Sequence, residues 1–388
     1  MVCRVRTMGA ALMLAGLYGP SLALASDPLP AEEIPAVAVL PDPYPASFVL
    51  VHDMHSPSLL DARLAVVDVA VDSANYRGQI PVGHFGSVRP STTRNEIYVA
   101  ETFYSRRTHG ERTDAISIWD KKTLAPVGEV VLPGGKRGQV VTIPGSFQLT
   151  NGEKWALLFN FTPASSVTVI DLDARKIVSD IDLPGCSLVY PTGERGFMSL
   201  CGDGTMTSIA LDAAGRVAGT VNSKAFNDID HDPMFMTPAM VGRTAWFTTF
   251  RGSFRGIDLS GAAARDLGGF ALPVEKTEAG EWRPGGWQVI SAAPDGKLYV
   301  LMNPAGKDGS HKDGGTEVWV VDPAAKARTA RIPLRNHGVS VEVTAEARPS
   351  LVVSRPDGAL DVYDARTGTF LREIAQVAIA PLTLFSAR

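Results

Sequence analysis

The sequence predicts an all-β fold, a seven-bladed β-propeller, and three observations carry that expectation. A short strand motif ending in Asp returns seven times. A second β-rich run precedes each copy. No stretch holds a 3.6-residue apolar stripe for more than about two turns, so helix is minor. The motif is clearest in "TDAISIWDKKTLAPVGEVVLP", residues 113–133, where an apolar run ends in Asp, passes through a polar turn and resumes as a second apolar run. The same pattern gives "LAVVD" ending at Asp68, "ISIWD" at Asp120, "VTVID" at Asp171, "VWVVD" at Asp322 and "LDVYD" at Asp364. Degraded copies, "SIALD" at Asp212 and "FRGID" at Asp258, fill the gap, and the spacing runs from 41 to 64 residues.

The runs ahead of these copies are "SFVLVHD", "NEIYVAE", "KWALLFNF", "RGFMSLCGDG", "RTAWFTTF", "KLYVLMN" and "SLVVSRPDG". Short strands rich in Val, Ile, Tyr and Trp, bounded by Gly, Pro and Asp, specify antiparallel sheet. One such sheet cannot bury both faces alone, whereas seven arranged about an axis can. No inner strand precedes the first copy, and "QVAIAPLTLFSAR" adds a strand after the last. The C-terminal run is therefore expected to complete the first blade. Residues 101–114 are expected to form a long connection in the second blade, and 270–288 and 303–316 to lengthen the sixth.

The N-terminus divides off by composition. Arg4 and Arg6, an apolar stretch from Met8 to about Tyr18 and an Ala23-Leu24-Ala25 end describe a secretory signal peptide over 1–25. The stretch is shorter than the about 20 residues a membrane span needs. Residues 26–45 then form an N-terminal extension and 46–388 the propeller. The formal charge is −4, or −6 without Arg4 and Arg6, and no Lys/Arg run is present, which excludes a nucleic-acid surface. Cys3 leaves with the signal, so Cys186 and Cys201 remain. In an oxidising compartment they form either one disulfide or two buried thiols, and their spacing is not that of a C-x-x-C dithiol.

Little in the chain carries chemistry. His52 and His55 form H-x-x-H at a strand end with no third ligand, which favours a structural role over a metal. "NDIDHDPMF" has Asp228, Asp230 and Asp232 in the rhythm of a calcium loop. It then puts Pro233 and Ala239 where Gly and Glu belong, so it reads as an acidic turn between blades. No H-E-x-x-H, G-x-S-x-G, phosphate loop or haem-attachment motif occurs. "EWRPGGWQ" sets Trp282 and Trp287 around Pro-Gly-Gly as a tight turn, either packed on the core or offered to a partner. Trp119 and Trp319 belong to blade interiors.

Several stretches are more specific than a generic propeller. "YSRRTHGERTDAISIWD", "CSLVYPTGERGFMSLCGDG", "EWRPGGWQ" and "MNPAGKDGSHKDGGTEVWVVDPAAKARTARIP" together resemble the heavy chain of the periplasmic quinoprotein amine dehydrogenases. The "CGDG" and "GKDGSHK" segments are closer to the aralkylamine (aromatic amine) enzymes than to the methylamine ones. The resemblance implies a seven-bladed heavy chain with a Cys186–Cys201 disulfide. It implies a heterotetramer of two heavy and two small, disulfide-rich light chains. The cofactor, tryptophan tryptophylquinone, and the catalytic base would belong to the light chain, leaving this chain with no catalytic residue and no metal. Electrons would pass to a blue copper protein of the azurin or amicyanin kind. The family's entrance Phe corresponds, counting from Gly78 through "GQIPVGHFGSV", to His84, with Phe85 beside it; either side chain takes the wall position. Tyr104, Arg106, Arg107 and Arg112, with Trp282 and Trp287, are expected at the light-chain interface, being residue types that anchor interfaces. The rival readings are a stand-alone exported propeller that binds a ligand, and a propeller hydrolase with a metal held in its central channel.

Overall fold

The computed structural model describes residues 39–140 and 143–387. The expected signal peptide, 1–25, and most of the extension, 26–38, lie outside them. In chain order, β1 (Phe48–Asp53), β2 (Arg63–Asp68) and β3 (Tyr76–Pro81) begin the first blade. The second blade is β4 (His84–Pro90), β5 (Glu96–Arg106), β6 (His109–Asp120) and β7 (Pro126–Leu132). The third is β8 (Phe147–Leu149), β9 (Trp155–Asn160), β10 (Ser166–Asp171) and β11 (Lys176–Asp182). The fourth is β12 (Cys186–Thr192), β13 (Gly196–Cys201), β14 (Met206–Leu211) and β15 (Val217–Asn222). The fifth is β16 (Ala239–Val241), β17 (Thr244–Thr248), β18 (Ser253–Asp258) and β19 (Arg265–Ala271). The sixth is β20 (Glu281–Pro284), β21 (Ile290–Ala292), β22 (Leu298–Gly306), β23 (Gly315–Asp322) and β24 (Ala327–Gly338). The seventh is β25 (Ser340–Val343), β26 (Ser350–Ser354), β27 (Leu360–Asp364) and β28 (Phe370–Ile374), followed by β29 (Pro381–Ser386).

The C-terminal strand closes the ring as the sequence predicts. The first sheet runs β29-β1-β2-β3, with Val51 opposite Leu384 and Leu50 opposite Phe385. The motif Asp is explained by the same geometry, because each copy ends or follows the third strand of its blade. Its Oδ1 accepts a main-chain N–H of the turn that follows: Ala70 donates to Asp68, Lys122 to Asp120, Ala174 to Asp171 and Ala214 to Asp212. Asp258, Asp322 and Asp364 serve Ser260, Ala324 and Arg366 in the same way. An Asp side chain that mimics a backbone turn is the local reason the chain reverses there.

The core lies between blades. Leu64 and Val66 of β2 face the second blade, while Ala65 and Val67 face the seventh. Each remaining pair of neighbouring blades holds its own cluster. Both faces of every sheet are thus buried, so the inner strands read as continuous apolar runs.

Two expectations about loops are corrected. Residues 101–114, expected as a long connection, are instead the extended ends of β5 and β6. Phe103 pairs with Thr113 and Tyr104 with Arg112, and the hairpin turns at Arg107, whose φ is +64°. Its polar sequence reflects exposure, while the backbone groups are satisfied across the hairpin. In the sixth blade Trp282 lies within a strand: β20 and β21 both pair with β22, so 285–289 interrupts one inner strand and is not a hairpin turn. Among the described residues no helix is long and apolar enough to cross a membrane.

Candidate functional site

In antiparallel four-stranded blades, the turns between second and third strands open on the same end as the connections between blades. That end, the front, gathers the 82–83 connection, the β5–β6 hairpin, the segments 133–140 and 143–146, β20 and the 307–314 excursion. The sequence-predicted residues therefore converge on one side of the ring.

At the junction of the first and second blades lies the turn Gly83–His84–Phe85–Gly86, closed by the Gly86 N–H donating to the Gly83 carbonyl at 3.1 Å. His84 and Phe85 are both half-buried, and Phe85 has φ +48°, in the left-handed region. The His84 ring meets Tyr104 edge-on, with centroids 5.3 Å apart. Tyr104 is held in turn by Gln139 Oε1, which accepts its hydroxyl at 3.0 Å. A Cβ on Gly86 would lie 2.2 Å from Val82 Cγ1, so only glycine permits this close approach to the first blade.

Beneath the turn lies a buried ionic cluster. Arg137, 3% exposed, donates to the His84 and Phe85 carbonyls at 2.6 Å each, and to Thr102 Oγ1. Glu101, 2% exposed, accepts the Gly83 N–H. Asp114 accepts from Thr102 at 2.5 Å, from Arg112 at 2.9 Å and from the Gly135 N–H at 3.1 Å. Burial lowers the Arg137 pKa to about 10, against the pull of Asp114, so the side chain remains a cation at neutral pH. Burial raises that of Glu101, opposed by the bonds from Ser117 and Gly83.

The expected interface residues divide by their surroundings. Arg106 and Arg107 are exposed at the hairpin tip. Arg112 turns inward, to Asp114 and to the Arg137 carbonyl at 2.7 Å, and forms part of the platform. Trp282 is half-buried with its ring 5.7 Å from Trp319, and the Arg331 guanidinium sits 4.8 Å over it. Trp287 is half-buried, and its main-chain N–H donates to the Val339 carbonyl. Cys186 and Cys201 are disulfide-bonded directly across β12 and β13. The front also exposes Phe103, Val140 and Phe161, which the sequence reading did not single out.

Elsewhere the chemistry is structural. His52 is buried in β1, and burial lowers its pKa to about 4, while the His55 Nδ1 lies 3.0 Å from the Ser58 carbonyl oxygen. Asp228 engages His231, and Asp232 accepts from Thr249 and the Arg251 N–H, which makes "NDIDHDPMF" an acidic turn between blades. A cavity of about 590 Å³ on the ring axis is lined by all seven innermost strands, through residues such as Arg89, Gln148, Tyr190, Met240, Ile290, Glu342 and Thr383. Among the described residues no three His, Cys, Asp or Glu side chains are grouped to hold a metal.

Arg137, Glu101 and Asp114 went unnoticed in the sequence. Arg137 sits in "PGGKRGQVV", which looks like an ordinary solvated turn. The available signal was weaker: Glu101 and Asp114 directly adjoin the apolar cores of paired strands, where a charge is costly unless partnered.

Residues 49–387 match the methylamine dehydrogenase heavy chain (MADH) family. The methylamine dehydrogenase heavy chain of Methylorubrum extorquens is 28% identical over 292 residues, covering 74% of this chain and 70% of its own. That of Methylophilus methylotrophus is 28% identical over 323 residues, covering 81% and 78%. Among solved structures, Kluyveromyces lactis Hsv2p has a TM-score of 0.52 at 12% identity, covering 87% of this chain and 99% of that one. This last likeness shows the fold alone.

Proposed function

Because the chain belongs to the methylamine dehydrogenase heavy chain family, we propose that it is the non-catalytic heavy subunit of a periplasmic amine dehydrogenase. On this reading two copies assemble with two light chains that carry tryptophan tryptophylquinone and the catalytic base. The complex deaminates primary amines oxidatively to aldehyde and ammonia and passes the electrons to a blue copper protein. The heavy chain supplies a rigid face and the mouth of the substrate channel. The observation that carries the reading is the family match across the whole ring, 49–387, in a chain whose front end gathers every predicted interface residue.

The light chain is proposed to dock on the front, against Tyr104, Arg106, Arg107, Arg112, Trp282 and Trp287. Half-buried aromatics beside arginines are the composition of interface anchors. His84 and Phe85 are proposed to line the channel mouth. Primary amines are the substrate class. The "CGDG" and "GKDGSHK" stretches favour aralkylamines, whereas the relatives are named for methylamine. Turnover of both by the purified complex discriminates them.

The test is co-purification of the tagged chain from the native periplasm, followed by an absorption spectrum. A small, cysteine-rich partner with a quinone band is the expected result. A lone chain with no partner and no quinone would favour a stand-alone propeller instead.

A further inference from the structure

We propose that Arg137 is a positioning residue for the substrate entrance: its guanidinium fixes the Gly83–Gly86 turn and thereby the wall formed by His84 and Phe85. The inference rests on the reading that this turn lines the channel, and it assigns the control of that wall to a residue more than 50 positions away.

The geometry is specific. Arg137 belongs to the connection between the second and third blades, whereas the turn joins the first blade to the second. One planar guanidinium reaches two successive carbonyls, His84 through Nη2 and Phe85 through Nη1, each at 2.6 Å. The same group is tied to Thr102 of β5 through Nε at 3.1 Å and Nη2 at 2.6 Å. Its Nε lies 4.0 Å from Asp114, the carboxylate that also orders Thr102 and Arg112. On the other side Glu101 takes the Gly83 N–H. The turn is therefore gripped by a cation on its carbonyls and an anion on its amide.

This grip answers a conformational question. Phe85 has φ +48°, a left-handed conformation that a side-chain-bearing residue adopts only at a cost. Two charge-assisted hydrogen bonds to its own and the preceding carbonyl more than offset that cost. Without them the carbonyls of His84 and Phe85 lose their buried partner, and the turn, still tied at Gly83 and Gly86, relaxes and re-aims both side chains. A lysine carries the charge but not the fixed fork that spans both carbonyls. Arg137 itself is buried, so it acts through the turn and not on the amine.

The experiment uses the assembled heavy–light complex with Arg137→Met, Arg137→Lys, His84→Ala and Phe85→Ala, assayed with methylamine and phenethylamine. The expected result is a shift of tenfold or more in the ratio of kcat/KM for the two amines in Arg137→Met. The shift should lie mainly in KM, match the direction seen in Phe85→Ala or His84→Ala, and leave the quinone spectrum unchanged. Arg137→Lys, which keeps the buried cation, should show a smaller shift in the same direction. A lowered Tm with an unchanged selectivity ratio would mean that Arg137 is only structural, and would overturn the proposal. If the turn variants shift the ratio and both Arg137 variants do not, the proposal falls while the channel reading stands. If no variant shifts it, the channel reading itself fails and takes the proposal with it. Loss of assembly in both Arg137 variants counts against the proposal.

Discussion

Replacing Gln288 with Ala should loosen the seam of the ring more than any other part of it. Gln288 lies in the sixth blade, 5% exposed, yet its side chain serves the seventh and the first. Its Nε2 donates to the Val341 carbonyl at 3.0 Å, to Glu342 Oε2 at 2.9 Å and to the Leu384 carbonyl at 3.2 Å. Its Oε1 accepts the Leu384 N–H at 3.1 Å. Leu384 belongs to β29, the strand that closes the circle. A net 0.5–1.5 kcal/mol per hydrogen bond, more where a carboxylate accepts, would give about 4 kcal/mol for the four. The axial cavity reaches this site and lets water replace part of the loss, so about 3 kcal/mol is expected. With an unfolding entropy near 2.1 cal/mol/K per residue, a propeller of this size should melt about 4 °C lower. Amide exchange at Leu384 should accelerate more than exchange in β10, on the opposite side of the ring, because the seam opens as a local unit. Gln288→Glu, which loses the donors and places a second carboxylate beside Glu342, should fall further. An unchanged Tm, or exchange that accelerates equally in every blade, would refute the argument.

Three other outcomes are expected. Converting both Cys186 and Cys201 to Ser should cost about 3 kcal/mol, the chain-entropy value for their separation of 15 residues, read as a lower urea midpoint. Stability should decline in acid in two stages. Burial lowers His52 to about 4, so its contribution is lost as pH falls from about 6.5 through 4, and His52→Leu should remove that limb. Burial opposes ionisation of Glu153, but hydrogen bonds from Ser91, Thr93 and Thr92 prevail and hold it near 2. Its contribution is present above the ordinary carboxylate range and lost as pH falls toward 2, and Glu153→Gln should flatten the melt-versus-pH curve there. Trp282→Ala removes a half-buried ring from the cluster between the fifth and sixth blades, so about 2 kcal/mol of fold stability should go with it. Co-purification with a light chain should weaken by more than that, and equal losses in the melt and the pull-down would count against an interface role.

The fold was legible because each blade repeats one local solution. A strand buried on both faces demands an apolar run, and the turn after it demands an Asp whose side chain can stand in for a backbone acceptor. Both demands act within a few residues, so they leave a mark in the sequence at every copy, even where "SIALD" and "FRGID" have degraded. Ring closure was legible for a related reason: a blade that begins without an inner strand must borrow one, and only the C-terminus had one to give. The 101–114 hairpin was misread because its residues satisfy the backbone through long-range pairing while their side chains face water. Polarity alone does not separate an exposed hairpin from a loop.

The site was legible only at its surface. Trp282, Trp287, Tyr104 and the hairpin arginines are conspicuous as residue types, and the topology brings them to one end. What sets the geometry there is different in kind. Arg137, Glu101, Thr102 and Asp114 come from β5, β6 and a connection, Arg137 lying 35 positions beyond Thr102, and each is an unremarkable polar residue in its own neighbourhood. Their meaning arises when three-dimensional contact buries all of them together, since a buried charge is tolerated only with partners. An isolated Arg137 would be expelled to solvent; set against Asp114, with the His84 and Phe85 carbonyls in reach, it instead becomes the fixed point on which the mouth of the front face is hung. The residues conspicuous in a sequence are thus those whose side chains stay near the surface, while those that set the shape of that surface are hidden by the same burial that makes them effective.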